Sequence, residues 1–327
     1  MAGNTATRTY TIYIARPKVG EIVNYTPDTP NTGYDLSRAK SGYFNEAQTI
    51  DGTYDPTTWK IMEVDENGNI TKLLGIGSKN VTFQGSTGYN NGVYLLNDIC
   101  KSRYGNARLG ATARSLTIED IESRMNGAGI AARNAYKSGT VQYGTTRKYT
   151  GSYAYYPAIY AQEKYSGVDV SDVTDGTQVI TGSVDATAQT RMNPNGKSVS
   201  DDIYTTLPET SETTGPSKTN LTCTQTYYEM SSPSSYFDDT NFHSMIFKTG
   251  TYFWLASRYV SCYSNDSSAH FGLRRVSSSS LDGYNLFYSS GYGYASGYRL
   301  APVVSLGSGI QVKSGSGTTR DPYVIGK

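Results

Sequence analysis

Two apolar segments near the end of the chain decide the fold: Phe253-Trp-Leu-Ala-Ser-Arg258 and Tyr298-Arg-Leu-Ala-Pro-Val-Val-Ser-Leu306. Between them, residues 257–296 contain 12 Ser and 6 Tyr, which makes this region unusually polar and tyrosine-rich. Two further strands are predicted inside it, over 269–276 and 284–288. Short apolar segments separated by turn-forming residues are typical of an antiparallel β-sheet.

The residues between these segments are predicted to form a binding surface, in which buried anchors fix the backbone and the polar residues between them point to solvent. Tyr, Ser, Asn and Gly are the residues that binding surfaces such as antibody paratopes use most. The alternative is a Ser- and Gly-rich loop array in which the tyrosines are incidental. The anchors are Leu255, Phe271, Leu286 and Val303. The candidate ligand-binding residues are Tyr259, Tyr263, Asn265, Asp266, Ser278, Asp282, Tyr284, Tyr288, Tyr292, Tyr294 and Tyr298.

A β-hairpin is predicted over residues 59–74. Two alternating apolar segments flank Asp65-Glu-Asn-Gly-Asn69, and Asn-Gly between such segments is the strongest short hairpin signal. The same five residues resemble the start of a calcium-binding loop, but the glycine that such a loop requires would fall at Ile70. We therefore predict a turn here and no metal ion.

Two amphipathic helices are predicted to follow the hairpin. The first covers residues 93–104, with Leu96 in its buried stripe. The second begins after Thr117, a natural N-cap, with Ile121 in its buried stripe and Gly127-Ala-Gly-Ile-Ala-Ala132 at its end. This glycine-rich segment matches the pattern of a dinucleotide-binding loop, but such a loop must follow a strand, so a helix C-cap is predicted instead.

The sequence predicts a short N-terminal segment, one large domain and a long insertion inside that domain. Residues 1–18 are predicted to be an N-terminal assembly segment that contains a strand over 9–14. Residues 19–327 are predicted to be one α+β domain, in which both helices pack on a small antiparallel sheet that includes the two apolar segments quoted above. Residues 137–249, rich in Ser, Thr, Gly and Asp, are predicted to be a long insertion on the surface of this domain.

The charge, hydropathy and cysteine content argue against several classes of protein. The chain of 327 residues has 29 Lys+Arg and 28 Asp+Glu, and this net charge of +1 predicts no nucleic-acid partner. No window of about 18 consecutive apolar residues occurs, so no membrane insertion is predicted. The three cysteines form no Cys-x-x-Cys pair, and the usual zinc and thioredoxin spacings are therefore missing.

The sequence contains no catalytic signature. Its two histidines are His243 and His270, and neither Gly-x-Ser-x-Gly nor His-Glu-x-x-His occurs. A Ser-His-Asp arrangement can be drawn in almost any sequence of this composition, because the members of a triad can lie far apart in the chain. We therefore predict a protein that is not an enzyme and that has no catalytic residues, no cofactor and no metal site.

Several sequence blocks resemble those of one family. Phe-Trp-Leu-Ala-Ser-Arg, Phe-Gly-Leu-Arg, Asn-Leu-Phe-Tyr-Ser-Ser, the 298–306 segment and the terminal Asp-Pro-Tyr-Val-Ile-Gly are similar to blocks of the C-type-lectin-fold variable proteins that retroelements diversify in bacteria and their phages. The resemblance implies a C-type-lectin-like fold of the formylglycine-generating-enzyme-like variant, with a variable ligand-binding region at 257–298. The residues between the blocks belong to the set that adenine-directed mutagenesis of Asn codons produces. The sugar- and calcium-binding motifs of animal lectins, Glu-Pro-Asn and Trp-Asn-Asp, are absent.

The resemblance implies recognition and not catalysis. The expected function is attachment to a protein or glycan receptor on a cell surface, as a receptor-binding protein of a phage tail. Two alternatives stay open: a bacterial surface or pilus-like adhesin, and a structural subunit of a virion or filament without its own ligand. The expected location is therefore the virion or the bacterial cell surface. A homo-oligomer, for example a trimer, is also expected, because single weak sites gain from being presented together.

Overall fold

The computed structural model describes residues 16–28, 34–35, 49–149, 221–231, 233–263, 269–288 and 293–327. This part of the chain is mixed α+β, as predicted, with more strand than helix and no closed barrel. None of its helices is long and apolar enough to cross a membrane. In chain order its α-helices are α1 (Gly85–Arg103), α2 (Ile118–Glu122), α3 (Gly127–Ala135) and α4 (Thr240–Phe247), two more than the sequence predicts. In chain order its strands are β1 (Ile22–Asn24), β2 (Tyr34–Asp35), β3 (Thr49–Ile50), β4 (Trp59–Val64), β5 (Ile70–Gly75), β6 (Asn80–Gln84), β7 (Thr112–Ser115), β8 (Lys137–Ser138), β9 (Val141–Gln142), β10 (Thr146–Tyr149), β11 (Leu221–Thr224), β12 (Met230–Ser231), β13 (Phe253–Cys262), β14 (Ala269–Val276), β15 (Ser280–Tyr288), β16 (Ala295–Arg299), β17 (Pro302–Ser305), β18 (Gln311–Ser314) and β19 (Tyr323–Gly326).

Two large sheets organise the domain. The seven-stranded sheet has the order β18-β19-β1-β4-β5-β17-β7, and the six-stranded sheet has the order β12-β15-β14-β13-β16-β6. The predicted hairpin is confirmed as β4 and β5, and the Asp65 carboxylate accepts hydrogen bonds from the N–H groups of Asn67 and Asn69 in its turn. In the six-stranded sheet β13, β14 and β15 form an antiparallel meander, and every residue of β13 is buried.

The apolar segment 298–306 was predicted to form one strand. It instead joins the two sheets. The six-stranded sheet takes the chain up to Arg299, where β16 ends. After the buried Leu300 and Ala301, β17 begins at Pro302 and pairs with β5 and β7 of the seven-stranded sheet. Proline has no backbone N–H to donate and therefore suits the first position of a strand. The prediction of one small sheet is wrong because the chain changes sheets inside this segment.

Helix α1 begins well before the predicted first residue, 93. Its early turns contain Gly88 and Gly92, and glycine is unfavourable in a helix interior. A Cβ atom on Gly92 would overlap the end of the Leu273 side chain, and one on Gly88 would lie 3.0 Å from Phe83 Cβ. The two glycines therefore stand where α1 approaches the six-stranded sheet closely, which a propensity argument does not detect.

Thr117 caps α2 as predicted, but the glycine-rich segment after α2 starts a helix where a helix end was expected. The Asp120 N–H donates to Thr117 Oγ1 over 3.3 Å, and the Thr117 N–H donates to the Asp120 carboxylate over 2.9 Å, which completes a capping box. Asn126 then caps α3, because its Oδ1 accepts two backbone N–H groups of the next turn. Gly127 is thus the first residue of α3 and not the end of α2.

Asp120 also forms an ion pair with Arg114. The Arg114 Nη1 and Nη2 atoms each lie 2.6 Å from a carboxylate oxygen of Asp120. Burial opposes ionisation of Asp120, but the hydrogen bonds and the positive charge of Arg114 lower its pKa overall. A carboxyl group whose pKa is lower in the folded than in the unfolded state stabilises the fold at pH values above its unfolded pKa of about 4. This stabilisation is lost as the pH falls through the pKa of the folded state.

Asp120→Asn is therefore expected to lower the free energy of unfolding by about 1–2 kcal/mol at about pH 6 and by clearly less at about pH 3. Urea unfolding curves at the two pH values measure the difference. Glu66→Gln, at an exposed position of the hairpin turn, is the control and should change stability little at either pH. An equal loss at both pH values for Asp120→Asn would rule out this electrostatic role.

The prediction of a surface insertion over 137–249 is wrong at its C-terminal side. Tyr228, Phe242 and Ile246 are fully buried, and they share one core cluster with Leu255. Phe242 and Ile246 come from α4, an amphipathic helix that needs only a few apolar residues to bury one face. The sequence around this helix is rich in Ser and Thr, and this composition indicated a surface insertion although the helix packs in the core.

Other parts of the predicted domain plan lie outside the described residues. They include residues 150–220 of the insertion and residues 1–15, with the strand predicted over 9–14. The strands that flank 150–220 along the chain, β10 and β11, pair with each other in an antiparallel ladder.

The core contains the apolar residues that the sequence predicts. Leu96 on α1 and Ile121 on α2 are fully buried, and so are all four predicted anchors. Trp254 is fully buried, and its Nε1 donates to the carbonyl oxygen of Val81 over 2.7 Å. Its ring centre lies 5.7 Å from that of Phe83. Each of the first four blocks that carry the family resemblance therefore contributes at least one fully buried side chain to the core.

Candidate ligand-binding surface

Strands β13, β14 and β15 present two faces, because successive side chains of a strand point to opposite sides of a sheet. Leu273 packs against α1, and Arg275, two residues further along β14, lies on the same face. His270 and Arg274 alternate with these residues and lie on the opposite face. The region that the sequence predicts as one surface therefore displays its side chains on both faces of the sheet.

Tyr259 belongs to the core and not to the surface. Its side chain is fully buried, and its hydroxyl donates to Asn285 Oδ1 over 2.8 Å. The ring lies against two glycines: a Cβ atom would come within 2.5 Å of Tyr259 Cζ at Gly272 and within 2.7 Å of Tyr259 Cδ1 at Gly283. The prediction that Tyr259 points to solvent is wrong, because these glycines make room for its ring inside the packed sheet.

One aromatic cluster surrounds an ion pair. The Nε and Nη2 atoms of Arg275 lie 2.6 and 3.1 Å from the two carboxylate oxygens of Asp282, and Nη1 donates to the Tyr298 hydroxyl. The guanidinium carbon lies 4.7–5.7 Å from the ring centres of three tyrosines. A bidentate carboxylate and several ring faces hold a guanidinium firmly. The group, named the Arg275 cluster below, consists of Tyr252, Arg275, Asp282, Tyr284 and Tyr298.

Asp282 is not the solvent-facing contact residue that the sequence predicts. It is 6% exposed, and both of its carboxylate oxygens bind Arg275. Burial raises the pKa of Asp282, and the charge of Arg275 opposes this only in part. By contrast Tyr252 is 46% exposed, and Tyr284 and Tyr298 are half-buried. A ligand at this cluster would therefore meet tyrosine rings first, with the ion pair beneath them.

A second group of side chains forms a row of four rings, named the aromatic row below: Tyr263, His270, Tyr288 and Tyr294. The ring centre of His270 lies 4.4 Å from that of Tyr263 and 3.7 Å from that of Tyr288, which in turn lies 4.8 Å from that of Tyr294. Tyr263 is 41% and Tyr294 is 46% exposed, whereas His270 is 7% exposed. Burial lowers the pKa of His270 to about 4, so its imidazole is neutral at pH 7. The row is therefore uncharged and exposes a ring at each end.

The remaining predicted site residues lie apart from these two groups or outside the described residues. Ser278 is exposed in the turn between β14 and β15. Asn265, Asp266 and Tyr292 fall outside the described residues. Of the predicted residues, the structure thus brings Tyr263, Tyr288 and Tyr294 together in one group, and Asp282, Tyr284 and Tyr298 together in the other.

Three members of these groups were not predicted from the sequence. Tyr252 directly precedes the apolar block that begins at Phe253, while His270 and Arg275 lie inside a predicted strand. All three were treated as scaffold, because strand residues were assigned to the core and only the residues between strands to the surface. The alternation within β14 was the available signal, since it places a polar side chain on each face.

Large hydrophobic side chains that are exposed are concentrated at the two groups. Within the described part of the chain, the exposed large hydrophobic residues are Tyr252, Tyr263, Tyr294 and Val324. The three tyrosines all belong to the Arg275 cluster or the aromatic row. Exposed aromatic surface that rests on a packed sheet is typical of an interaction site.

Among the described residues, no three His, Cys, Asp or Glu side chains are grouped as metal ligands would be.

No protein-family model matches the chain, and no curated protein and no solved structure is significantly similar to it. The function of the Arg275 cluster and the aromatic row must therefore be inferred from their own geometry and chemistry.

Proposed function

We propose that this protein recognises a receptor through the exposed tyrosines of the Arg275 cluster and the aromatic row. The observation that carries the proposal is the position of Tyr252, Tyr263 and Tyr294. Each is 41–46% exposed, and Tyr252 and Tyr263 directly flank the completely buried strand β13. Tyrosine offers a large contact area and a polar tip at low entropic cost, and it is enriched among the residues that dominate binding energies.

The proposal includes a C-type-lectin-like fold and membership of the retroelement-diversified family, with 257–298 as the variable region. It is supported by the burial of Trp254 and Val303 in the blocks that resemble the family, and by the exposure of Tyr263 and Tyr294 between those blocks. A reverse-transcriptase gene and a near-identical template repeat beside the coding gene would support diversification. Neighbouring tail genes would support a phage, and sortase or pilin genes would support a cell.

The proposed location is a phage tail, where the receptor would be a protein or glycan on the surface of the host cell. A bacterial surface or pilus-like adhesin would use the same surface in the same way. We also propose a homo-oligomer, for example a trimer, in which residues 1–18 take part, and the proposal assigns the protein no catalytic role. A structural subunit without its own ligand would instead bury both tyrosine groups between subunits.

Changing Tyr263 and Tyr294 together to alanine is expected to weaken attachment to a recognised cell about 30-fold or more, while the Tm falls by no more than about 2 °C. The physical reason is that both rings are exposed and contribute little to the core. The measurement is flow cytometry of the fluorescently labelled full chain on a panel of intact bacterial strains, followed by a titration on a strain that binds.

Val324→Ala is the matched control, because Val324 is 43% exposed but lies on β19 of the seven-stranded sheet. This variant should attach as the unchanged protein does. Undiminished attachment by the tyrosine double variant would remove the aromatic row from the receptor site. A loss of many degrees in Tm would show that these rings belong to the core, and the proposed binding surface would then be wrong.

A further inference from the structure

A cavity of about 330 Å³ lies between the seven-stranded sheet and helix α4, and none of its lining residues belongs to the Arg275 cluster or the aromatic row. Its walls come from the turn before β1, from strand β4 and from helix α4. The volume is at the lower end of the range for small-molecule sites. The lining residues are Lys18, Val19, Gly20, Glu21, Lys60, Asn241, Ser244 and Met245.

The turn that forms the first wall is fixed by hydrogen bonds. The Glu21 N–H donates to the carbonyl oxygen of Lys18 over 3.2 Å, and the Glu21 carboxylate accepts the N–H of Lys18 over 2.8 Å. Gly20 has a φ of 89°, as the third position of a type II turn requires, and its N–H donates to the carbonyl oxygen of Ile61 on β4. This wall is therefore held in place against the sheet.

Lys60 lies at the edge of the core, on the side of the sheet that α4 covers. It pairs with Leu74 of β5, and directly paired residues of antiparallel strands point to the same face. Leu74 belongs to one core cluster with Met245 and Ile246 of α4. The Lys60 side chain is half-buried, and within the described part of the chain its ammonium group forms no ion pair and no hydrogen bond. A half-buried cation without a bound carboxylate favours an anion in the adjoining cavity.

Helix α4 adds two polar side chains to the same cavity. Asn241 and Ser244 are three residues apart and therefore lie on one face of the helix. Neither side chain forms a hydrogen bond to any residue that the structure describes. The Asn241 amide and the Ser244 hydroxyl can each donate and accept a hydrogen bond, so both suit the hydroxyl and carboxylate groups of a polar ligand.

The charged side chains of the lining give a net charge of +1, from Lys18 and Lys60 against Glu21. Two carboxylates close in sequence to the lining are already partnered. Asp239 caps α4, and its Oδ1 accepts two backbone N–H groups of the first turn over 2.8 and 3.0 Å. Glu63, three residues after Lys60, is bound by a lysine and an arginine at 3.0 and 2.9 Å. The positive charge of the cavity is therefore not neutralised by these two groups.

We propose that this cavity binds a hydroxylated monocarboxylate, the chemical class to which sugar acids belong. One carboxylate matches the net charge of +1, and Lys18 and Lys60 attract it. Glu21 accepts hydrogen bonds from hydroxyl groups of the ligand and repels a second negative charge. The inference goes beyond the proposed receptor recognition and does not depend on it, because no tyrosine of the two groups lines the cavity.

Sodium glucuronate is expected to bind the full chain saturably, with a dissociation constant on the order of millimolar, in a ligand-observed NMR titration. Its methyl ester keeps the hydroxyl groups but lacks the charge, and it should bind about tenfold more weakly or not at all. Acetate, which has no hydroxyl group, and sulfate, which carries two charges, should also bind more weakly at the same ionic strength. No saturable binding of glucuronate, equal affinity for its methyl ester, or tighter binding of sulfate would overturn the proposal.

Two lysines of the same sheet locate the site. Lys60→Gln should weaken glucuronate binding about fivefold or more, because it removes a cation from the lining. Lys72→Gln is the matched control: Lys72 lies on the adjacent strand β5, is also half-buried and pairs with Glu63. It removes the same charge outside the cavity and should stay within about twofold. Equal losses would overturn the assignment to this cavity, and Lys18→Gln repeats the test if Lys60→Gln does not fold.

Failure of this inference can be separated from failure of the proposed function. If glucuronate does not bind while the Tyr263 and Tyr294 double variant still loses attachment to cells, the cavity assignment is wrong and the recognition function stands. The double variant itself should bind glucuronate as the unchanged protein does, and a loss there would overturn the location of the site. A disaccharide that ends in glucuronate, tested in parallel, distinguishes a free acid from the end of a polysaccharide, and tighter binding of the disaccharide identifies the polysaccharide.

Discussion

Replacing Trp254 by alanine is expected to lower the free energy of unfolding by about 3–5 kcal/mol, as measured by urea unfolding followed by circular dichroism. Trp254 is fully buried, and its ring centre lies 5.7 Å from that of Phe83 and 4.5 Å from that of Tyr298. The substitution leaves a large cavity and removes the donor that binds the carbonyl oxygen of Val81. Domains of this kind have a free energy of unfolding of only about 5–15 kcal/mol, so the expected loss is a large fraction of it.

Tyr252→Ala is the control for this prediction. Tyr252 lies two residues from Trp254 in the chain but is 46% exposed, so its removal should cost about 1 kcal/mol or less. Trp254→Phe should fall between the two variants, because it retains most of the ring but not the hydrogen-bond donor. A loss for Trp254→Ala as small as that for Tyr252→Ala would contradict the central position of Trp254 in the core.

Gly283→Ala is expected to destabilise the protein by on the order of 3 kcal/mol, because the new methyl group would overlap the ring of Tyr259. The ring cannot move away easily, since it is fully buried, its Cζ atom lies against Gly272 on the adjacent strand, and its hydroxyl is bound to Asn285. The measurement is again urea unfolding, and the loss should appear as a shift of the midpoint with little change in the slope.

A double-mutant cycle tests whether the Tyr259 ring causes this loss. In a Tyr259→Leu background Gly283→Ala should cost clearly less than alone, with a coupling of about 1 kcal/mol or more. Gly127→Ala is the control glycine, because nothing lies within 4 Å of a Cβ atom there and the first turn of α3 tolerates alanine. Additive effects of Tyr259→Leu and Gly283→Ala would show that the two sites do not interact.

The elements predicted correctly are those whose signal is local. The hairpin at 59–74, strand β14 and the N-cap Thr117 each follow from residues within one short segment. The early turns of α1, which were missed, depend instead on a contact between distant segments. The early turns of α1 need Gly92 because it packs against Leu273, and no local pattern in the sequence shows that approach.

The sequence predicted the buried anchors and two of the exposed tyrosines, but not the separation of the candidate residues into two groups. The anchors are buried, and Tyr263 and Tyr294 are exposed, as the pattern of apolar and polar residues indicates. The burial of Tyr259 and Asp282 could not be predicted, because it depends on which strand lies opposite which. Tyr259 fills the space above the glycines of two neighbouring strands, and Asp282 faces Arg275 only through the register of β14 and β15.

The segment that passes from β16 to β17 ties the six-stranded sheet to the rest of the domain. Between the two strands, the carbonyl of Leu300 accepts the N–H of Gly77 and the carbonyl of Ala301 accepts the N–H of Leu116, each over 2.8 Å. An opening of the six-stranded sheet that moved this segment would break hydrogen bonds to the residues that follow β5 and β7. The slowest amide hydrogens of the sheet are therefore expected to exchange only through global unfolding. Side chains carried by such a preorganised sheet lose little conformational entropy when a ligand arrives, so a few rings can contribute most of their contact energy to affinity.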